Sequence, residues 1–363
     1  MTRPLSNPEL QRILLVRLRV LGDVVFTTPI IRALRRRFPD AHLSYLVEPG
    51  AAPVVAGNPH LDELIVCPKH SGSRRFLEDF KLARKLRRSR FDVVIDLHGG
   101  PRAAWLAWSS GAPMRIGYTI AGRTWMYTHV VQRAPNLTPR HSVLNQADLL
   151  EPLGITGIDA SRDPLEMSDD PAARGRVDAR LAQLGITGEH TLAVMHVSAS
   201  NPFKRWPAGS FAETAAALVR NHPGLHVVMV SGPSDQDAAA AAVREARTAA
   251  GSAGDRIFEG HHDLPELREL IARAAVYIGG DSGPLHVAAT TDTPIVELLG
   301  PTLRERSYPW RRPQAFSEMI DVGALPCRPC DERRCVPGDF RCLTGIGVEQ
   351  VVAAAERALE TRA

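Results

Sequence analysis

At 363 residues and 44% hydrophobic composition, the chain is too long for a single hydrophobic core and too apolar to be disordered, so two domains are expected. Net charge is only +4, yet residues 1–150 hold 22 basic and 11 acidic side chains and the remainder 22 and 29, so +11 faces −7. Such asymmetry gives the halves different partners, the first suited to an anionic surface. With no RNA-binding signature and no aromatics interleaved with the basic residues, nucleic acid is not expected as a partner.

The opening residues, Met1 to Leu10, are polar and proline-broken, unlike a secretory signal, and no apolar run nears the roughly 18 residues of a membrane span. The expectation is a soluble, cytoplasmic protein that touches a membrane at most from its surface. β-branched runs at Arg12–Leu18, Leu43–Val47, Glu63–Cys67 and Asp92–Leu97 read as strands, with a helical pattern over Ile30–Phe38. Two basic blocks, Arg32/Arg35/Arg36/Arg37 and Arg84/Lys85/Arg87/Arg88/Arg90, fit either solvated helix faces or a functional patch. A polar stretch with Gly and Pro, Gly154–Pro171, reads as a linker. The rhythm then restarts with strands at Thr191–Val197, His226–Ser231, Ala275–Gly279 and Pro294–Leu299.

Helix starts are marked by capping-box spacings at Ser210/Glu213 and Asp263/Glu266, and Val348–Ala358 carries an amphipathic helical pattern. Strands alternating with helices imply parallel sheets covered on both faces. The predicted architecture is two successive Rossmann-like α/β domains, residues 1–160 and 172–345. A final segment, 346–363, includes a helix able to pack back on the first domain.

In such sheets ligands bind beyond the carboxyl ends of the strands, and three turns there are unusual. Arg17-Leu18-Arg19-Val20-Leu21-Gly22-Asp23 follows the first strand and leads to Thr27-Thr28-Pro29. An Asp at a helix start is on its own most simply an N-cap, but here it also sets a carboxylate at the ligand-binding end. Ser198-Ala199-Ser200-Asn201-Pro202-Phe203-Lys204-Arg205-Trp206-Pro207 combines hydroxyls with two cations, which suits a phosphate and equally suits a solvated basic loop. Gly279-Gly280-Asp281-Ser282-Gly283-Pro284-Leu285-His286 opens a helix whose free N–H groups favour an anion. A lone His286 is more often structural than catalytic.

Together and in this order these segments resemble glycosyltransferase family 9, the ADP-heptose:lipopolysaccharide heptosyltransferases. The match is carried by the Gly22-Asp23 turn with Thr27-Thr28-Pro29, Lys204–Pro207 as Lys-x-Trp-Pro, Asp281–His286 and Leu299–Thr302. Asp96–Gly99, Arg115–Tyr118 and His141–Asp148 add to it, so that the resemblance runs from about residue 12 to 355. It implies a GT-B fold, two Rossmann-like domains facing each other across a cleft. It also implies inverting transfer of a heptose from ADP-heptose to the inner core of lipopolysaccharide, at the cytoplasmic face of the inner membrane.

By position, Asp23 becomes the general base. Ser198, Ser200 and Lys204 become ligands of the donor diphosphate, with Asp281, Ser282, Gly283 and His286 at its leaving phosphates, and Asp235 and Gln236 near the nucleoside. Arg17, Gly22, His98 and Gly99 fall on the acceptor side; His98 departs from the Gln common there. The chemistry is coherent, since fixed cations and helix-end donors stabilise a leaving diphosphate without a metal cofactor.

Of five cysteines, Cys67 reads as a buried small hydrophobe. Cys327, Cys330, Cys335 and Cys342 form a cluster that fits structural zinc, reduced structural thiols or disulfides; the Cys-x2-Cys start suits zinc, while the later spacings match no common finger. Three other functions compete with the transferase. An NAD-dependent oxidoreductase requires a Gly-x-Gly-x-x-Gly turn that the Leu-Gly-Asp-Val-Val-Phe segment lacks. A sugar-nucleotide epimerase would need no lipid acceptor, and a non-catalytic glycolipid-binding module would tolerate loss of Asp23.

Overall fold

Two six-stranded sheets, parallel throughout, organise the chain. They are seen in a computed structural model that describes residues 10–70, 72–135, 138–199, 201–330 and 334–361. Contacts divide these residues into two compact units, the first running through Pro135 and again over Arg140–Ser168, the second holding the chain from Asp169 on.

Unit 1 contains β1 (Arg12–Val16), α1 (Leu21–Val25), α2 (Thr28–Arg37), β2 (His42–Val47), α3 (Ala52–Val55) and β3 (Glu63–Val66), then α4 (Gly72–Arg88), β4 (Val93–Asp96), α5 (Pro101–Ser109), β5 (Met114–Tyr118), β6 (His129–Val131) and α6 (Ser142–Ala147). Its strand order is β3-β2-β1-β4-β5-β6. Strand β1 is buried from Ile13 to Val16 because both faces of a parallel sheet are covered. On one face Leu14, Val16 and Val94 pack with Leu86 of α4 and Ala103, Leu106 and Ala107 of α5.

Unit 2 contains α7 (Pro171–Gln183), β7 (Thr191–His196), α8 (Ala208–Asn221), β8 (Leu225–Val230), α9 (Gln236–Ala250), β9 (Ile257–Gly260) and α10 (Leu264–Arg273). There follow β10 (Val276–Gly280), α11 (Gly283–Ala288), β11 (Ile295–Leu298), α12 (Arg304–Ser307), β12 (Ser317–Ile320), α13 (Arg341–Thr344) and α14 (Val348–Glu360). Its order, β12-β11-β10-β7-β8-β9, repeats that of unit 1 with β7 in the role of β1 and β10 in that of β4. Each sheet therefore reverses its winding at one place, between β1 and β4 and between β7 and β10, and the crevice at such a switch point is where α/β sheets bind ligands.

Strands β5, β6, β9 and β12 go beyond the sequence reading. Three are sheet-end or next-to-end pieces of three or four residues, such as His-Val-Val and Ser-Glu-Met-Ile, too short to show a pattern. The expected capping box at Asp263/Glu266 forms. That at Ser210/Glu213 does not: α8 starts at Ala208 behind Pro207, so Ser210 already lies inside the first turn. The terminal helix α14 belongs to unit 2. Its apolar face, Val351, Ala354, Ala355 and Ala358, is consumed in the core of unit 2 with Leu218, Val296 and Leu298.

Residues 155–167, within the stretch read as a linker, pack on unit 1 through buried Ile155, Ile158, Leu165 and Met167. They also pair with two arginines of the first basic block. Arg36 bonds the fully buried Asp163 at 2.6 Å, Arg32 bonds Glu166 at 2.6 Å, and Arg35 binds Asp62 and three backbone carbonyls. These three arginines thus brace unit 1, while Arg37 stays exposed. The second block, on α4, stays exposed.

Candidate active site

In unit 1 the loops after β1 and β4 meet at the switch point. The backbone of Val20 caps α1 with no side-chain acceptor, and Asp23 stands in the first helical turn without capping it. Its carboxylate is instead ion-paired to Arg17, while the side chain keeps 41% of its surface exposed. Arg17 is buried and also donates to the Leu97 carbonyl at 2.5 Å, so one guanidinium ties the first turn to the end of β4. Gln146 adds a bond to the Asp23 carbonyl at 3.3 Å. The carboxylate is thus oriented by a fixed cation, with open surface beside it.

Gly22 is buried, and its carbonyl accepts from Phe26 N at 3.0 Å. Thr27 and Thr28 prove to be braces. Both are fully buried; Thr27 bonds the Val24 carbonyl and Tyr45, while Thr28 bonds the Val25 carbonyl and accepts from Glu166 N.

After β4, Asp96 folds the His98-Gly99 turn around itself: Oδ1 accepts from both N–H groups at 2.9 Å, and Oδ2 accepts from Tyr127 at 2.6 Å. Burial raises its carboxyl despite these donors. Gly99 has φ +70°, and a Cβ there would stand 2.6 Å from Ile120, so the turn requires glycine. His98 lies 3.1 Å from the Arg19 carbonyl through Nδ1. Burial, reinforced by Arg17, depresses its pKa to about 4, so at neutral pH the ring is uncharged. Nδ1–H donates to the carbonyl, which leaves Nε2 as an acceptor. Arg17, Gly22, Asp23, His98 and Gly99 therefore share one corner of unit 1.

In unit 2 the loops after β7, β8 and β10 converge in the same way. Lys204, at the end of a short 3-10 turn, donates to Asp281 at 2.5 Å. Gly280 allows that approach, because a Cβ there would lie 3.0 Å from the Lys204 carbonyl. Burial alone would raise the Asp281 carboxyl, but Lys204, His286 and a hydrogen bond with Thr302 outweigh it and hold it below the usual carboxylate range. His286 is buried with Nε2 3.7 Å from Asp281. Ser282 leads into α11 with a buried hydroxyl that has no hydrogen-bond partner among the described residues, and Gly283 is the first helical residue.

Ser198 is turned inward: its Oγ accepts from Gly232 N at 2.9 Å and sits 3.4 Å from His196. Burial lowers the His196 pKa to about 4, leaving a neutral ring. Arg205 bonds the Ala199 carbonyl at 2.7 Å and Asp235 at 3.0 Å, joining the β7 and β8 loops, while Gln236 opens α9 exposed. Ser200 lies outside the described residues.

Glu297, on β11, went unnoticed in the sequence. It is fully buried in register with Gly279, and neither carboxylate oxygen has a hydrogen-bond partner among the described residues. Burial, with Asp281 nearby, drives its pKa far up. Its carboxyl therefore holds a proton more tightly than a free one, within the field of the Lys204–Asp281 pair.

Cys327, Cys330, Cys335 and Cys342 are free, half-buried thiols, and Phe340 N donates to Cys335 Sγ at 3.3 Å. Among the described residues no group of three or more His, Cys, Asp and Glu is arranged to hold a metal ion. Cys67 is buried as expected, its thiol pushed up to about 11 by desolvation.

Residues 80–338 match glycosyltransferase family 9 (heptosyltransferase). The chain belongs to this family. It is 30% identical to lipopolysaccharide heptosyltransferase 3 of Escherichia coli K12 over 94% of this chain and 96% of the relative. Among solved structures, the family 9 glycosyl transferase from Veillonella parvula superposes with a TM-score of 0.82 at 28% identity, covering 98% of this chain and 99% of that one. The E. coli ADP-heptose lipopolysaccharide heptosyltransferase II gives 0.76 at 22% identity, covering 97% and 99%. This family 9 protein is a glycosyltransferase with the two α/β domains of the GT-B fold, which sets the oxidoreductase reading aside.

Proposed function

We propose that the protein transfers a heptose from ADP-heptose to the inner core of lipopolysaccharide, with inversion at the anomeric carbon. The observation that carries the reading is the state of Asp23: a carboxylate that caps nothing, is held by Arg17 and keeps open surface beside it. Asp23 takes the proton of the acceptor hydroxyl while the new C–O bond forms and the bond to the diphosphate breaks on the opposite side. ADP departs carrying the negative charge. Lys204 and the Asp281–Gly283 turn receive that charge, with Ser198 and Ser200 in the same loop and Asp235 and Gln236 toward the nucleoside. Arg17, Gly22, His98 and Gly99 receive the acceptor, where a neutral His98 orients a hydroxyl through Nε2.

Fixed donors and a lysine in a partly dry site supply the stabilisation that a divalent ion gives elsewhere, so no metal takes part in the transfer. The cysteine cluster, whether it holds zinc or stays as reduced thiols, serves structure only. Because the acceptor is a lipid, the enzyme works at the cytoplasmic face of the inner membrane.

A panel of sugar nucleotides offered with heptose-deficient lipopolysaccharide tests the proposal. Heptose transfer from the ADP sugar is expected, and it should persist in EDTA. Hydrolysis or epimerisation without transfer would overturn the function, and activity abolished by EDTA and restored by magnesium would overturn the metal-free mechanism.

A further inference from the structure

We infer that the exposed face of α4 in unit 1 docks on an anionic lipid bilayer. This helix carries the second basic block, which the catalytic reading leaves without a role. Its inward side is conventional: Asp79, Ala83 and Leu86 are buried, and Arg102 bonds Asp79 at 2.7 Å. The outward side is not. Phe76, Leu77 and Phe80 are 78, 55 and 61% exposed, three large apolar side chains within five residues.

Residues four apart lie on one helical ridge. Phe76, Phe80, Arg84 and Arg88 form one such ridge and Leu77, Lys81 and Lys85 its neighbour, all of them exposed. Apolar side chains thus occupy the first part of the face and cations the second.

Opposing charge is sparse. The segment 72–88 has seven basic residues and two acidic ones, Glu78 and Asp79. Asp79 is buried against Arg102; Glu78 meets Lys81 at 2.9 Å, and Lys85 reaches Glu63 on β3 at 3.3 Å. The +11 balance of residues 1–150 has the same sign, whereas Arg32, Arg35 and Arg36 of α2 are ion-paired with Glu166, Asp62 and Asp163.

Exposed apolar bulk concentrates in the same unit, which holds eight of the ten large hydrophobic side chains exposed among the described residues, including the Trp108–Trp125 edge-to-face pair. Aromatic rings set beside cations suit a headgroup layer, where rings enter the acyl boundary and Lys and Arg meet lipid phosphates. An apolar protein groove would not call for the cations. Among the described residues no helix is long and apolar enough to cross a membrane, so attachment through α4 is peripheral.

The inference rests on the proposed function for its purpose, to hold the enzyme where a lipid-anchored acceptor lies; the surface itself is argued from α4 alone. The test uses the full chain with vesicles of phosphatidylcholine alone or mixed with phosphatidylglycerol, read by co-sedimentation. Wild type should bind the mixed vesicles, with binding weakened by salt, and should leave phosphatidylcholine nearly untouched. F76S/F80S should lower partitioning at least about tenfold, and R84Q/R88Q should weaken binding and flatten its salt dependence. Both variants should keep wild-type melting temperature and turnover on a delipidated, soluble acceptor, while losing rate on acceptor embedded in vesicles.

Wild type that ignores anionic vesicles, or variants that bind them equally, overturns the docking surface. So does a concentration-dependent dimer abolished by F76S/F80S, which would make a second copy the occupant. Vesicle binding without any heptose transfer would instead sink the proposed function and leave the surface standing.

Discussion

Replacing Asp23 with Asn separates a base from a structural carboxylate because of what Asp23 touches. The side chain caps no helix, so no capping energy is at stake. What Asn removes is half of the Arg17 ion pair. Asp23 is 41% exposed, which places the pair near the exposed class worth up to about 1 kcal/mol, and the Asn carbonyl can still accept from the guanidinium, which keeps its bond to Leu97. In a domain of this size that corresponds to a fall in melting temperature of roughly 2–4 °C.

General-base catalysis contributes about 10²–10⁴-fold in rate. Loss of the base therefore dwarfs loss of the ion pair. Asp23→Asn should lower kcat for heptose transfer at least about a hundredfold, with ADP-heptose affinity by calorimetry near wild type. Asp23→Ala should be equally inactive. An Asn variant that turns over within a few-fold of wild type would refute the assignment, and inactivity accompanied by a collapse in melting temperature would show that the carboxylate is needed for folding.

Glu297→Gln should stabilise the protein at neutral pH. With its folded pKa raised, Glu297 stays protonated while the unfolded chain ionises above about pH 4.5, so wild type loses stability with rising pH from that point and the variant does not. Melting curves should coincide near pH 4 and separate as pH rises above 4.5; a constant offset would contradict a raised carboxyl. Asp281 has the opposite sign: its lowered pKa gives stability present above its ordinary value of 3.8 and lost as pH falls below it, a loss that Asp281→Asn should lessen. Lys204→Ala should weaken donor binding by about 1.5–3 kcal/mol with acceptor KM nearly unchanged, and equal calorimetric affinity would move the diphosphate elsewhere. Asp263→Ala should cost about 1 kcal/mol of stability through its capping box, whereas Ser210→Ala, inside a helix and not at its cap, should change stability by less than about 0.5 kcal/mol.

The interior strands were legible because full burial demands continuous apolar runs such as Ile13–Val16 and Val227–Val230. Short strands such as β6, β9 and β12 carry no such demand and left no pattern. The turns after β1, β7 and β10 stood out because their glycines, hydroxyls and charges interrupt those runs. Pairings across the chain were hidden. Nothing local says that Lys204 belongs to Asp281, 77 positions away, or that Glu297, inside an apolar strand, lies beneath them.

The two basic blocks show the same limit from another side. On paper they are alike, yet Glu166 and the buried Asp163 pair with Arg32 and Arg36, and among the described residues no carboxylate of 155–167 pairs with the outer ridge of α4. Ser210 misled because a capping spacing says nothing about where the preceding proline lets the helix begin.

On the proposed assignment of Lys204 to the donor diphosphate, its bond to Asp281 means that the phosphate seat is assembled at folding, not at binding. A lysine tethered in advance has already surrendered its rotamer freedom, so a nucleotide diphosphate spends little on freezing it. The same tether screens the medium: a stray inorganic anion arriving at the ammonium meets the field of Asp281 behind it and gains little. A ligand whose other parts are gripped by neighbouring loops can still draw the lysine into a shared bridge, so occupancy of the seat is reserved for molecules recognised along their whole length.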